Sequence, residues 1–292
     1  MQTINQNILD NLNNFHLAGI IPVAGLPAGE HQPGLLHPSL VPLSGSLLAI
    51  ERSILECNYA GCKTIWIVCN EDIQPAIKYR VKDYTTSFTS LVSSKFSKFS
   101  QPRLEYIPIF YVSIPLPVRD KRDSLGWTVL HGAQQAFTVC TKISKWVIPN
   151  KYYVSIPYGV QNPQTISNHK KQLFSTRNIF TSYKNNDVSS GLMTSFSFRP
   201  ADFIRIKKNV KKLCTGSVSK PYWSSKNFTI DKFFNYDNID NVDIAELDHY
   251  YRISNWFDYK EFLSSESSAL YDSFDAQKIN HTLKERITHE TK

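Results

Sequence analysis

The 292-residue chain predicts an α/β protein: a mostly parallel sheet with helices on both faces. Two observations carry this. Continuous apolar runs such as "LAGIIPVA" (17–24) and "KTIWIVCN" (63–70) have the pattern of strands buried on both faces. Between such runs lie segments of helical period, so strand and helix alternate along most of the chain.

The elements follow in order. Ile4, Ile8, Leu12 and Phe15 sit at helical spacing, an amphipathic arm ahead of the first strand. Residues 46–58 read as a helix, with Leu47, Leu48, Ile50, Ile54 and Leu55 as its apolar stripe and Gly61 as its stop. The second strand (63–70) leads to a helix over 71–84, with Pro75 in its first turns. Residues 85–101 are Ser-rich and read as a loop. A strand over 103–114, a long helix over 124–143 and a strand over 151–159 come next. Asn162 and Pro163 then have the order of a cap and first position for a helix over 162–174. Beyond residue 175 the rhythm changes: 178–198 predicts two antiparallel strands joined around Asn185-Asn186-Asp187. A helix (199–213), a late strand (246–254) and a helix (255–263) complete a Rossmann-like domain over 17–263. An arm (1–16) and a polar helix or tail (264–292) flank it, outside the core.

Composition narrows the function. At 41% hydrophobic and 20% charged residues the chain can bury an ordinary core. No apolar run approaches the ~20 residues of a membrane span, and the N-terminus has neither the basic start nor the apolar stretch of a signal peptide. Five cysteines form no CxxC pair, which suits buried thiols in a reducing cytosol. Cys57 and Cys62 fit no zinc spacing and read as packing groups. The net charge of +8 is spread over short clusters, so it argues for no specific nucleic-acid groove.

The first strand runs into Ala24-Gly25, a loop, and then a helix, which is the layout of a phosphate-cradling unit. A loop of that kind needs cations, yet residues 23–50 contain no Lys or Arg. "AGLPAGEH" (24–31) and "HPSLVPLSG" (37–45), with "GWTVLHGAQQA" (126–136), "GLMTSFSFRPADFIRI" (191–206) and "HYYRISNWFDYKEFL" (249–263), resemble the nucleotidyltransferase family of glycosyltransferase-A-type fold, the sugar-nucleotide pyrophosphorylases and cytidylyl relatives. The resemblance extends to the nucleotidyltransferase-like proteins of tailed phages.

That resemblance implies a first loop of the form A-G-x-G-x-R, then P-K, and two metal-binding Asp, one after the fourth strand and one in a terminal D-x-T. Here the second loop glycine falls on Pro27, which has no N–H to offer a phosphate. The arginine falls near Glu30 or His31, and the lysine at Pro38 or Ser39. The two aspartates fall in Ile156-Pro157-Tyr158-Gly159 and Arg252-Ile253-Ser254-Asn255. Transfer at a triphosphate needs those charges neutralised by Lys, Arg and a divalent metal. All four charged positions are lost, and the expectation is a degenerate pocket of Ala24, Gly25, Gly29, Pro38, Pro157 and Gly159, with no catalytic residues, no metal and no cofactor.

The expected role is therefore a non-catalytic structural or assembly module, in the cytoplasm or in a virion. It would meet other proteins of a larger assembly through the N-terminal arm and C-terminal tail. The alternative is an active metal-dependent sugar-nucleotide or cytidylyl transferase using magnesium with a nucleoside triphosphate. Glu30, Asp120, Lys121 and Asp123 would then converge on the pocket. Three further features remain as candidates. His131 could face the pocket from its helix; Asp237, Asp240 and Asp243 read as a solvated loop rather than a calcium site; and Tyr222-Trp223 and Phe233-Phe234 could form either an interface or a cover for the sheet end.

Overall fold

The computed structural model describes residues 15–25, 37–87, 106–119, 124–215 and 229–274. The N-terminal helical arm before Phe15, Gly29, Glu30, Asp120, Lys121, Asp123, Tyr222-Trp223 and the tail beyond 274 lie outside them. Eight strands form one sheet: β1 (Leu17–Pro22), β2 (Thr64–Asn70), β3 (Tyr84–Thr86), β4 (Tyr106–Ile114), β5 (Lys151–Val154), β7 (Asn178–Ser182), β8 (Phe196–Phe198) and β9 (Val242–Glu246). Their order is β3-β4-β2-β1-β5-β8-β7-β9, and all but β3 and β8 run the same way. The α/β class, with its mostly parallel sheet, stands.

Alternation along the strands divides the core in two. Ala18 and Ile20 of β1, Trp66 and Val68 of β2, and Tyr152 and Val154 of β5 face one side. There they meet Val129, Leu130, Ala133 and Ala136 of the long helix Leu125–Ile143 and Ile206 and Val210 of the helix Pro200–Thr215. Leu17 and Ile21, Ile65 and Ile67, and Tyr153 face the other side, against Ile50, Ile54 and Cys57 of the helix Ala49–Ala60. In chain order the helices are α1 (Ala49–Ala60), α2 (Gln74–Val81), α3 (Leu116–Arg119), α4 (Leu125–Ile143), α5 (Lys170–Leu173), α6 (Pro200–Thr215) and α7 (Trp256–Leu263). Ser124 caps α4 by accepting from Trp127 N, and Gly61 ends α1 in the left-handed region.

Several expectations need correction. The helix predicted over 162–174 is a 3-10 turn (Thr165–His169) followed by the single turn of α5. Asn162 Oδ1 accepts from Gln164 N at 3.0 Å and Ser167 Oγ donates to Gln164 O at 2.7 Å, local bonds that compete with a helix. Lys151 then holds the turn that follows: its buried ammonium donates to Leu173 O (2.8 Å), Ser175 O (2.7 Å) and Arg177 O (2.5 Å). Burial, with Arg199 nearby, pulls its pKa down to about 8.

The single late strand expected over 246–254 is two elements. β9 draws its residues from the acidic tract and pairs with β7, while β10 (Tyr251–Arg252) leaves the main sheet to pair with β6 (Gly159–Val160). Asp243, expected in a solvated loop, thus sits on β9 and pairs with Arg177 at 2.9 Å. Phe233 and Phe234 are both fully buried between α4 and the sheet end, so they are core and not interface. The tail begins later than 264: Tyr271, fully buried, and Phe274 pack with Tyr259 and Phe262 of α7 onto Leu47 and Leu55. Cys57 and Cys62 are buried, as expected.

Candidate functional site

In a sheet of this type the crevice outside the carboxyl ends of the strands is where ligands bind. Here that crevice lies beyond β1 and β5. β1 leaves through Val23-Ala24-Gly25, and the amides of Val23 and Ala24 both donate to Val68 O (2.8 and 3.1 Å). Gly25 has φ +76, and a Cβ on it would lie 2.4 Å from the Ser124 carbonyl carbon. Thr128 Oγ1 reaches Ala24 O (3.1 Å) as well as Ser124 O (3.0 Å). The glycine therefore lets the turn press against the first turn of α4, and its bare face is spent on protein rather than on a phosphate.

The chain returns at His37. Pro38 opens the 3-10 turn Pro38–Leu40 and is buried; the Nδ1 of His37 bonds the Ser39 hydroxyl at 2.8 Å. Its ring lies 6.3 Å from that of Tyr158. Beyond β5, residues 155–160 are buried throughout. Tyr158 crosses the sheet end and donates its phenol to Val23 O, joining the ends of β5 and β1. Burial holds that phenol's pKa well above the ordinary value, so it remains a neutral donor. Gly159 is packed tighter still: a Cβ there would fall 2.0 Å from Met193 O and 2.8 Å from Tyr250 Cε2.

β6 and β10 bring the two sequence stretches assigned to metal together. Arg252 pairs with Gly159, and Ile253 N donates to Tyr158 O at 2.9 Å. Arg252 Nε in turn donates to Ser254 Oγ at 2.7 Å. The adjoining Asp258 accepts from Asn255 Nδ2 at 2.8 Å and lies 4.0 Å from Arg252 Nε. Asp258 is the one carboxylate described here, and it is engaged by Asn255 with Arg252 beside it. The phenol, guanidinium and hydroxyl around it do not fit magnesium, which takes carboxylate and water oxygens. Among the described residues no three His, Cys, Asp or Glu side chains gather to hold an ion.

Directly beneath lies a group that sequence reading missed. Glu56 of α1 is fully buried and accepts four bonds: from Arg52 Nη1 (2.6 Å), Tyr153 OH (2.6 Å), Ser155 Oγ (2.6 Å) and Gln161 Nε2 (2.5 Å). Arg52, also fully buried, donates onward to Ile156 O at 2.7 Å and Ser53 Oγ at 2.9 Å. Gln161 Nε2 extends the network to Ser195 Oγ at 2.9 Å. One cation sits under the crevice, and it is consumed by α1 and by the β5 exit. The available signal was an i, i+4 Arg–Glu pair on a helix beside polar residues at period two (Tyr153, Ser155) in an otherwise apolar strand.

Of the predicted pocket residues, Ala24 and Gly25 lie at the exit of β1, Pro38 follows His37, whose ring lies 6.3 Å from that of Tyr158, and Pro157 and Gly159 flank Tyr158 beyond β5. His131 is not one of them; it lines a separate cleft on the outer side of α4. Among the described residues no helix is long and apolar enough to cross a membrane.

No protein-family model matches the sequence, and no curated protein matches it. The fold itself has clear likenesses among solved structures. An apo UDP-glucose pyrophosphorylase superposes with a TM-score of 0.56 at 12% identity, over 89% of this chain and 99% of that one. A UDP-glucose pyrophosphorylase bound to UDP-glucose gives 0.53 at 13% identity, over 89% and 100%. A Bacillus anthracis protein assigned as a glucose-1-phosphate thymidylyltransferase, solved with sucrose, gives 0.54 at 10% identity, over 84% and 93%. At these identities the likeness shows a nucleotidyltransferase fold.

Proposed function

We propose that this protein is a non-catalytic nucleotidyltransferase-like module that serves a structural or assembly role. One observation supports the reading: at the ends of β1 and β5, where a nucleotide and its metal would be expected, the described residues pack on one another. Tyr158 bridges the ends of β1 and β5, Gly159 is pressed onto Met193 O, and Arg252 stands where a metal would need a carboxylate. A fold can outlast its chemistry because the sheet depends on apolar burial, whereas transfer depends on a few charged groups.

In this reading the N-terminal arm and the C-terminal tail, expected over 1–16 and 264–292, are the docking pieces, less Phe15 and His16, which pack on Phe174 and Asn150, and Tyr271 and Phe274, which pack on α7. The partners are proteins of a larger assembly in the cytoplasm or in a phage particle. The composition, rich in Asn, Lys, Ile and Tyr, suits an AT-rich genome, viral or bacterial, and so permits the phage setting.

The test is pyrophosphate release from each common nucleoside triphosphate, with sugar 1-phosphates and magnesium or manganese. The expected result is release no faster than in buffer. Metal-dependent release would overturn the proposal and restore the active transferase, with its charged groups drawn from Glu30, Asp120, Lys121 and Asp123.

A further inference from the structure

A cleft at the end of β4 shares no lining residue with the positions described at the ends of β1 and β5. It opens between the end of β4, the outer side of α4 and α6, and encloses about 220 Å³. We propose that this cleft binds a small planar anion, a single or fused aromatic ring bearing a carboxylate.

Size sets the first limit. An apolar cavity of about 150 Å³ accepts benzene, while pockets for drug-sized molecules run to about 300–1,000 Å³. A volume of 220 Å³ thus suits one ring system with a short acidic substituent.

The walls set the second. Leu130 and Ile114, both buried, form the floor with Pro115. Trp127 and Phe203, each half-buried, give it aromatic sides. Trp127 is fixed from behind by an edge contact with Phe233 at 5.4 Å, so its ring is held in place before any ligand arrives.

Charge sets the third. Lys207 lies at the rim, its ammonium 5.1 Å from the Phe203 ring centre and 3.0 Å from Gln134 Oε1. An ammonium has three N–H donors and Gln134 takes one, which leaves two directed outward. His131 and Gln134 are the other polar lining groups, and among the described residues no carboxylate lines the cleft. An aromatic anion satisfies both features at once, with its ring between Trp127 and Phe203 and its carboxylate on Lys207.

Calorimetric titration of the full chain with indole-3-acetate tests this, with tryptamine as the probe of the same ring and opposite charge. Saturable binding of indole-3-acetate is expected, weakened roughly tenfold or more in Lys207→Met, since a charge-assisted bond is lost. Tryptamine should not saturate. Lys207 is exposed, so the variant keeps its fold, which circular dichroism checks. Phe203→Leu, which keeps an apolar side chain on α6, should weaken binding by removing one aromatic wall. Absence of saturable binding, equal binding of tryptamine, or affinity unchanged in both variants would each overturn the assignment. None of these results bears on pyrophosphate release, so this proposal and the one above stand or fall separately.

Discussion

Glu56→Ala is expected to lower the unfolding free energy by about 3–5 kcal/mol, the cost of leaving a buried charge without its partner. The carboxylate accepts from Arg52, Tyr153, Ser155 and Gln161, and neither Arg52 nor Glu56 is exposed to water. Removing it leaves the Arg52 guanidinium without its counter-charge in the core and takes their acceptor from Tyr153 and Ser155, and one of two from Gln161. The double variant Arg52→Met with Glu56→Leu is expected to be more stable than Glu56→Ala, because no buried charge then remains unpaired. Urea unfolding of the wild type and both variants measures the differences. A loss of under about 1 kcal/mol for Glu56→Ala, the size of an exposed pair, would show that the network does not hold the sheet end together.

Gly159→Ala is the other severe change. Its Cβ would lie 2.0 Å from Met193 O and 2.8 Å from Tyr250 Cε2, and the first of these is backbone that cannot rotate aside. The β6–β10 ribbon must then lift from the segment that precedes β8. A cost of about 3 kcal/mol or more follows from overpacking of this kind, or roughly 5–10 °C in melting temperature for a chain of this size. Gly45→Ala is the control, since nothing lies within 4 Å of its Cβ and its φ lies outside the range that strains a side chain. Equal melting of the two variants would mean that the β6–β10 ribbon has room above Met193 O, contrary to the packing described.

The sequence made the sheet legible where periodicity was strong. The runs at 17–24 and 63–70 become β1 and β2, and of the predicted stripe Ile50 and Ile54, with Leu48 at the edge, pack on them, while Leu47 and Leu55 pack with Tyr259 and Phe262. It failed where local side-chain bonds outweigh helix formation, as at Asn162–Ser167, and where a strand changes sheets, as between β9 and β10. Position in the chain also misled: Phe233-Phe234 sit in weakly patterned sequence yet fill the core under α4.

For the site, the sequence supports only an expectation, that the charged positions of the resembled motif fall on residues such as Pro38 and Ser39. The contacts made at the ends of β1 and β5 could not be read. Nothing in "SIPYG" says that Tyr158 will reach Val23 O, since that contact spans 135 positions and depends on β1 and β5 being neighbours. The Arg52–Glu56 hub was hidden for the same reason. On a helix an Arg–Glu pair usually marks a solvated face, and only the tertiary fold turns this one inward.

The measurement that bears most directly on the central claim is a thermal-unfolding scan with each common nucleoside triphosphate, with and without magnesium. A ligand at ~100 times its dissociation constant would stabilise the fold by about 2.7 kcal/mol, a shift of a few degrees. The closed crevice predicts no shift with any nucleotide in either condition. A shift that requires magnesium would contradict it, and would mean that a metal and a triphosphate still find their place at the ends of β1 and β5.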